Sequence, residues 1–168
     1  FENIKLPVTK ETAGAVWYKP QVVREAFRSG KTIPVKAGIN TLFDAIQNSE
    51  PGDMLELENG GDYMLTDDID ITIPITIQAK DRSGPKAIVK SENSSFFNIE
   101  NGGAIELVNL LIDGSSSPDH RGNCVIRSSQ YAMNHNYKVF IRNCAIKNLD
   151  VNHSFDVLRS YKHTFADT

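Results

Sequence analysis

Apolar residues in this chain recur at every second position in short runs. Ile75 and Ile77, Ile105 and Leu107, and Val139 and Ile141 are examples. A period of two marks a strand with one face in a core. The runs are rich in β-branched residues and are broken by polar, glycine-containing stretches such as "ENGG", "NSS" and "DGSSSPDHRGN".

The runs also repeat. "AIELVNLLIDG" (104–114) aligns with "KVFIRNCAIKN" (138–148) at an offset of 34, as 139 − 105. Ile105 then matches Val139, Leu107 matches Ile141, Asn109 matches Asn143 and Ile112 matches Ile146. "PITIQAKD" (74–81) precedes them at an offset of 30, as 105 − 75, with Ala79 in the Asn place. A second word, "CVIRSS" (124–129), is echoed by "DVLRSY" (156–161) at 32, as 157 − 125. A weaker echo, "AIVKS" (87–91), lies at 37, as 125 − 88.

A repeat of this length signals a solenoid, a propeller or an array. Helical repeats need amphipathic stretches of about ten residues, and none follows residue 53. Propeller blades need about 40–45 residues each. The remaining fit is all-β: a right-handed parallel β-helix, with each copy of a word stacked about 4.8 Å from the last. Asn109 and Asn143 are then expected at coil corners, in the left-handed backbone region, bonded to each other as a ladder. The same alignment stacks Lys90, Arg127 and Arg159 as a column of bases on one outer face.

"NTLFDAIQNSEPGD" (40–53) predicts a helix. Thr41 and Asp44 read as a capping box, Leu42, Phe43, Ala45 and Ile46 as its apolar face, and Pro51-Gly52 as its stop. Such a helix would cap the solenoid, whose first strands would otherwise template aggregation. Residues 37–168 read as the β-helix domain, cut short at the C-terminal end because "SYKHTFADT" stops where another strand is due. Residues 1–36 lack the pattern and read as a linker, the tail of a preceding domain or an added cap. Trp17 there reads as a buried anchor.

Composition narrows the classes. The 168 residues are 40% hydrophobic and 23% charged, as expected of a folded domain. A net charge of −3 and a pI near 5.8 argue against a general nucleic-acid binder. No apolar run approaches the roughly 20 residues that span a bilayer. The sequence starts at Phe1 without a signal peptide, which suggests a mature or excised segment. Cys124 and Cys144 read as unpaired core thiols. The histidines His120, His135, His153 and His163 lack the spacing of a zinc site, and no phosphate loop, dinucleotide fingerprint or nucleophile elbow is present.

The run 37–81 resembles the opening of the chondroitinase B and alginate lyase family, polysaccharide lyase family 6. Thr41-Leu42, Pro51-Gly52-Asp53, Gly61-Asp62-Tyr63 and Pro74-Ile75-Thr76-Ile77 carry the likeness. "IENGGAIELVNLLIDGS" and "IRNCAIKNL" are similar to the family's coil strands, so the likeness covers 37–168. It implies an acidic polysaccharide as partner and an extracellular, cell-surface or periplasmic location. The family cleaves uronic-acid polymers by β-elimination. Calcium on an Asn and a Glu-x-Glu pair neutralises the uronate, a Lys takes the proton and an Arg assists.

This sequence departs from that pattern. Its Glu56-Leu57-Glu58 lies in the first strand, ahead of the coils that carry the family's site. The nearest echo is "NHSFDVLRSYK" (152–162). There Asn152 and Asp156 would be calcium ligands and Arg159 and Lys162 the catalytic pair, with the second acid missing. Lys90, Arg127, Asp119, His120 and Arg121 are the candidate substrate-binding residues. For each, the competing reading is an ordinary solvated charge. The expectation is a carbohydrate-associated β-helix that binds or presents an acidic polysaccharide without a complete active site. The alternatives are an active calcium-assisted polyuronate lyase and a purely structural surface or adhesin solenoid.

Overall fold

The structure, a computed structural model, describes residues 27–100, 102–118, 123–128 and 137–149, and the backbone of two short strands at 155–156 and 165–166. The alternating runs fold as strands, and each pairs in parallel with its counterpart one coil away. The first sheet stacks β1 (Thr32–Val35), β3 (Met54–Leu57), β6 (Pro74–Ala79), β9 (Ala104–Val108), β12 (Lys138–Arg142) and β15 (Phe165–Ala166). The second stacks β2 (Gly38–Ile39), β4 (Asp62–Leu65), β7 (Ala87–Ser91), β10 (Leu110–Asp113) and β13 (Ala145–Lys147). The third stacks β5 (Asp70–Ile71), β8 (Ser95–Ile99), β11 (Cys124–Ser128) and β14 (Phe155–Asp156). This is a parallel β-helix with three strands per coil. In the first coil a helix, α1 (Thr41–Gln47), takes the place of the third strand.

The first word behaves as predicted. Ile75, Ile105 and Val139 lie in register, as do Ile77, Leu107 and Ile141. They fill the core with Leu55, Tyr63, Val89, Ile99, Ile112 and Ile126. Ile112 also pairs with Ile146.

The second word does not. "CVIRS" lies in the third sheet and "AIVKS" in the second, where Val89 pairs with Ile112 and Lys90 with Asp113. The partners of Ile126 and Arg127 are Phe97 and Asn98 below, and Phe155 and Asp156 above. Lys90 and Arg127 therefore sit on different faces, and Asp156 rather than Arg159 stacks on Arg127. Every strand here shares the same apolar alternation, so a short word can match across sheets. Register is set instead by which side chains fill the core and by the lengths of the corners.

Two further expectations change. Strand pairing begins at Thr32, which pairs with Met54, so the solenoid reaches back past residue 37. The capping box also fails to form. The N-cap of α1 is Asn40, in the left-handed region at φ 55°, and its side chain makes no capping bond to the helix. The Thr41 hydroxyl donates instead to the Lys36 carbonyl at 2.7 Å. Asn40 ties the helix start to the next coil. Its amide nitrogen reaches Thr66 Oγ1 and Asp67 Oδ2 at 2.6 Å each, and its oxygen accepts from the Thr66 N–H at 2.9 Å. Leu42 and Ile46 of α1 close the lower end of the core.

Candidate functional site

Each sheet offers one outward column of side chains, and each corner offers a loop. On the first sheet Thr76, Gln78, Glu106 and Phe140 alternate with core residues and so point outward, yet all are buried. Phe27 and Arg28 lie against Thr76, Glu106 and Phe140. Phe27 packs edge-to-face on Phe140, with ring centres 5.2 Å apart. The Thr76 hydroxyl lies 3.0 Å from both the Phe27 carbonyl and Glu106 Oε2. Arg28 approaches the same carboxylate at 3.4 Å, and Arg142 closes on its other oxygen. A buried carboxylate persists only where such partners replace water. This face is closed by the chain's own N-terminal strap.

The second sheet neutralises itself. Lys90 pairs with Asp62 at 2.8 Å, and Lys147 with Asp113 at 3.0 Å. Burial pushes the Asp113 carboxyl up. Hydrogen bonds from Asn148, Lys147 and Ser115 outweigh that and hold it well below the usual carboxylate range.

The third sheet carries Asp70, Asn98, Arg127 and Asp156 in one register column. The Asn98 amide donates to Asp70 at 3.3 Å, and Arg127 donates to Ser94 Oγ at 3.0 Å. Beside this column, an open cleft of about 150 Å³ lies between α1 and the start of β6, with Gln47, Ser49, Asp70 and Thr72 on its walls. That is below the roughly 300–1,000 Å³ of an ordinary ligand pocket.

The corners between the first and second sheets hold the predicted ladder. Asn109 and Asn143 have φ of 58° and 48°. Asn143 donates to Asn109 Oδ1 at 2.9 Å, and Asn109 donates to the Asp81 carbonyl at 3.0 Å. Lys86 Nζ donates to Asn109 Oδ1 at 3.1 Å and also reaches the Asn143 carbonyl. Asn59 sits below, bonded to the carbonyls of Asp81 and Pro85 at 2.8 Å each.

Of the residues the sequence points to, Asp119, His120, Arg121, Asn152, Arg159 and Lys162 lie outside the described residues, as does Trp17. The side chain of Asp156 is likewise undescribed. Phe96, Phe97 and Tyr137 are buried and offer no sugar platform. Both cysteines are free. Among the described residues no group of three His, Cys, Asp or Glu could hold a metal ion. Sequence reading missed the strap, Asn59 and the cationic loop 80–86. Only the last had a local signal, in the three bases of "KDRSGPK".

Neither a protein-family model nor a curated protein matches the chain. Among solved structures, the PL6 family alginate lyase AlyGC matches with a TM-score of 0.69 and 33% identity, over 95% of this chain and 21% of that one. An arginine-to-alanine mutant of AlyGC matches with a TM-score of 0.65 and 35% identity, over 82% of this chain and 19% of that one. The chain thus spans about a fifth of the length of the structures it matches.

Proposed function

We propose, on the premise that this chain is a relative of the PL6 polysaccharide lyases over most of its length, that it binds an acidic polysaccharide outside the cytoplasm. The observation that carries this reading is the 33% identity to an alginate lyase along a coil-by-coil parallel β-helix. Alginate is a polymer of uronic acids, so a relative's partner of the same class would present a row of carboxylates. Cations on the solenoid surface would meet them as charge-assisted hydrogen bonds.

A second reading is β-elimination by this segment itself. It would need a group to neutralise the uronate, a base for the neighbouring proton and an acid for the leaving oxygen. Arg159 and Lys162 are the candidates for the proton steps, with Asn152 and Asp156 as oxygen ligands for calcium.

The test is an ultraviolet time course with alginate, chondroitin, dermatan and pectin, in calcium and then in chelator, beside a binding titration of each polymer. Binding without a rise in unsaturated uronate ends is the expected result. A calcium-dependent rise would establish the lyase reading, and Lys162→Ala should then slow it by about 10²–10⁴. Neither binding nor a rise would leave a structural solenoid.

A further inference from the structure

Among the described residues, four bases without an ion pair, Lys36, Lys80, Arg82 and Lys86, gather on the corner between the first and second sheets, and Lys138 of β12 is a further such base on a sheet. The other corners there are short: 36–37, 58–61, Asn109 alone, and 143–144. The one from β6 to β7, residues 80–86, is the longest, so it stands out from the stack. Lys80 and Arg82 are exposed on it and pair with no acid among the described residues, and the same holds for Lys36 two coils below. Two coils are about 9.6 Å at 4.8 Å per coil. Lys86 adds a fourth cation at the base of the loop.

The acids nearby are occupied. Asp81 is turned into its own loop, accepting from the Ser83 N–H at 2.9 Å and the Ser83 hydroxyl at 2.8 Å. Those bonds hold its carboxyl below the usual range. Glu58 accepts from the Ala37 N–H at 3.3 Å. Four bases against two acids leave this corner at +2 on a chain whose formal charge is −3.

The loop is also held in place. Asn59 donates to the carbonyls of Asp81 and Pro85 and accepts from the Asp81 N–H at 2.7 Å, so one amide clamps both ends. A loop ordered in advance loses less entropy on binding. The three sheets offer no equal. The first is covered by the strap, the second is internally paired, and the third places Arg127 in a column with Asp70 and Asp156.

We propose that this corner docks the acidic polysaccharide. The chain of sugars runs along the solenoid axis, with Arg82 taking one carboxylate in its planar fork and Lys80 and Lys36 taking neighbours. This rests on the reading of the preceding section.

The test titrates the 168-residue protein with alginate oligosaccharides, using neutral dextran as control. Arg82→Glu, the double variant Lys80→Glu with Arg82→Glu, and Lys31→Glu are compared by affinity and by thermal midpoint. Lys31 is an exposed base paired with Glu50 at 3.3 Å, away from the corner. Its substitution changes net charge as much as Arg82→Glu does. The expected result is alginate binding without dextran binding, a loss of at least tenfold in Arg82→Glu, a larger loss in the double variant, and less than threefold in Lys31→Glu. Equal losses in Arg82→Glu and Lys31→Glu, or an unaffected double variant, would overturn the corner and leave the polysaccharide reading standing. Equal binding of dextran would overturn docking by charge. No binding of alginate by the unaltered protein would remove both.

Discussion

Asn109 shows how one residue can secure a corner. Its backbone occupies the left-handed region, which is costly for most residues. Its side chain bonds the coil below through the Asp81 carbonyl and the coil above through Asn143. Asn109→Ala should therefore cost about 2–4 kcal/mol, combining the strained backbone with orphaned polar partners. Asn109→Gly should recover about 1 kcal/mol of that, because it relieves the backbone alone. Urea denaturation of the pair checks this, and equal losses would mean that the backbone term is absent. A different residue property shows with acid. Backbone N–H groups of Glu50 and Lys31 hold the Asp53 carboxyl below its usual range, and the bonds to Asp113 do the same there. A folded pKa below the unfolded value of about 3.9 means that the ionised form stabilises the fold. That stability is complete above the unfolded value and is lost as pH falls through the folded values. The denaturation midpoint should be level from pH 8 to about 5 and should drop below about 4. Asp113→Asn should make the drop shallower.

At the scale of elements, α1 separates what a local pattern can reveal from what it cannot. Its position was legible, because Leu42 and Ile46 repeat at helical spacing and Pro51-Gly52 follows. Its start was not. The capping-box pattern of Thr41 and Asp44 suggested local bonds, but the partners of the true N-cap, Asn40, are Thr66 and Asp67 in the next coil. Asn40→Ala should thus cost about 1–3 kcal/mol, since it strands those partners. Asp44→Ala should stay within about 0.5 kcal/mol, as an exposed residue outside any such network. A thermal scan of the two variants checks the contrast, and a larger loss in Asp44→Ala would restore the capping box. The strap was illegible for the same reason in stronger form. Arg28 and Glu106 are 78 residues apart, and nothing local in either run announces the other. The stacking of the bases in one column was misjudged for another reason. Lys90 and Arg127 occupy similar words, but an outward base carries no record of which sheet it faces.

For the whole molecule, the repeat disclosed the architecture because a solenoid uses one packing solution many times. Ile75, Ile105 and Val139 had to be alike, since each is the floor or ceiling of the next. The third sheet escaped because β5 has only two residues and β8 reads "SFFNI", which resembles no other word. Coil-by-coil stacking also dictates how stability is distributed. Ile105 is fully buried with a stacked neighbour on both sides, whereas Val35 belongs to the outermost strand of the first sheet and is stacked on one side only. In a one-dimensional array, damage at an end can be absorbed by local opening, but damage in the middle weakens two interfaces at once. Ile105→Ala should lower global stability by about 2–5 kcal/mol, as a cavity in a packed core does. Val35→Ala should lower it by clearly less, while hydrogen exchange quickens from Thr32 to Ile39 and stays slow in β9. Identical global losses, with exchange quickened throughout in both variants, would show that the coils unfold as a single unit. In that case the strap and α1 would have to bind the first coil to the rest more tightly than the stacking of β1 on β3 does by itself.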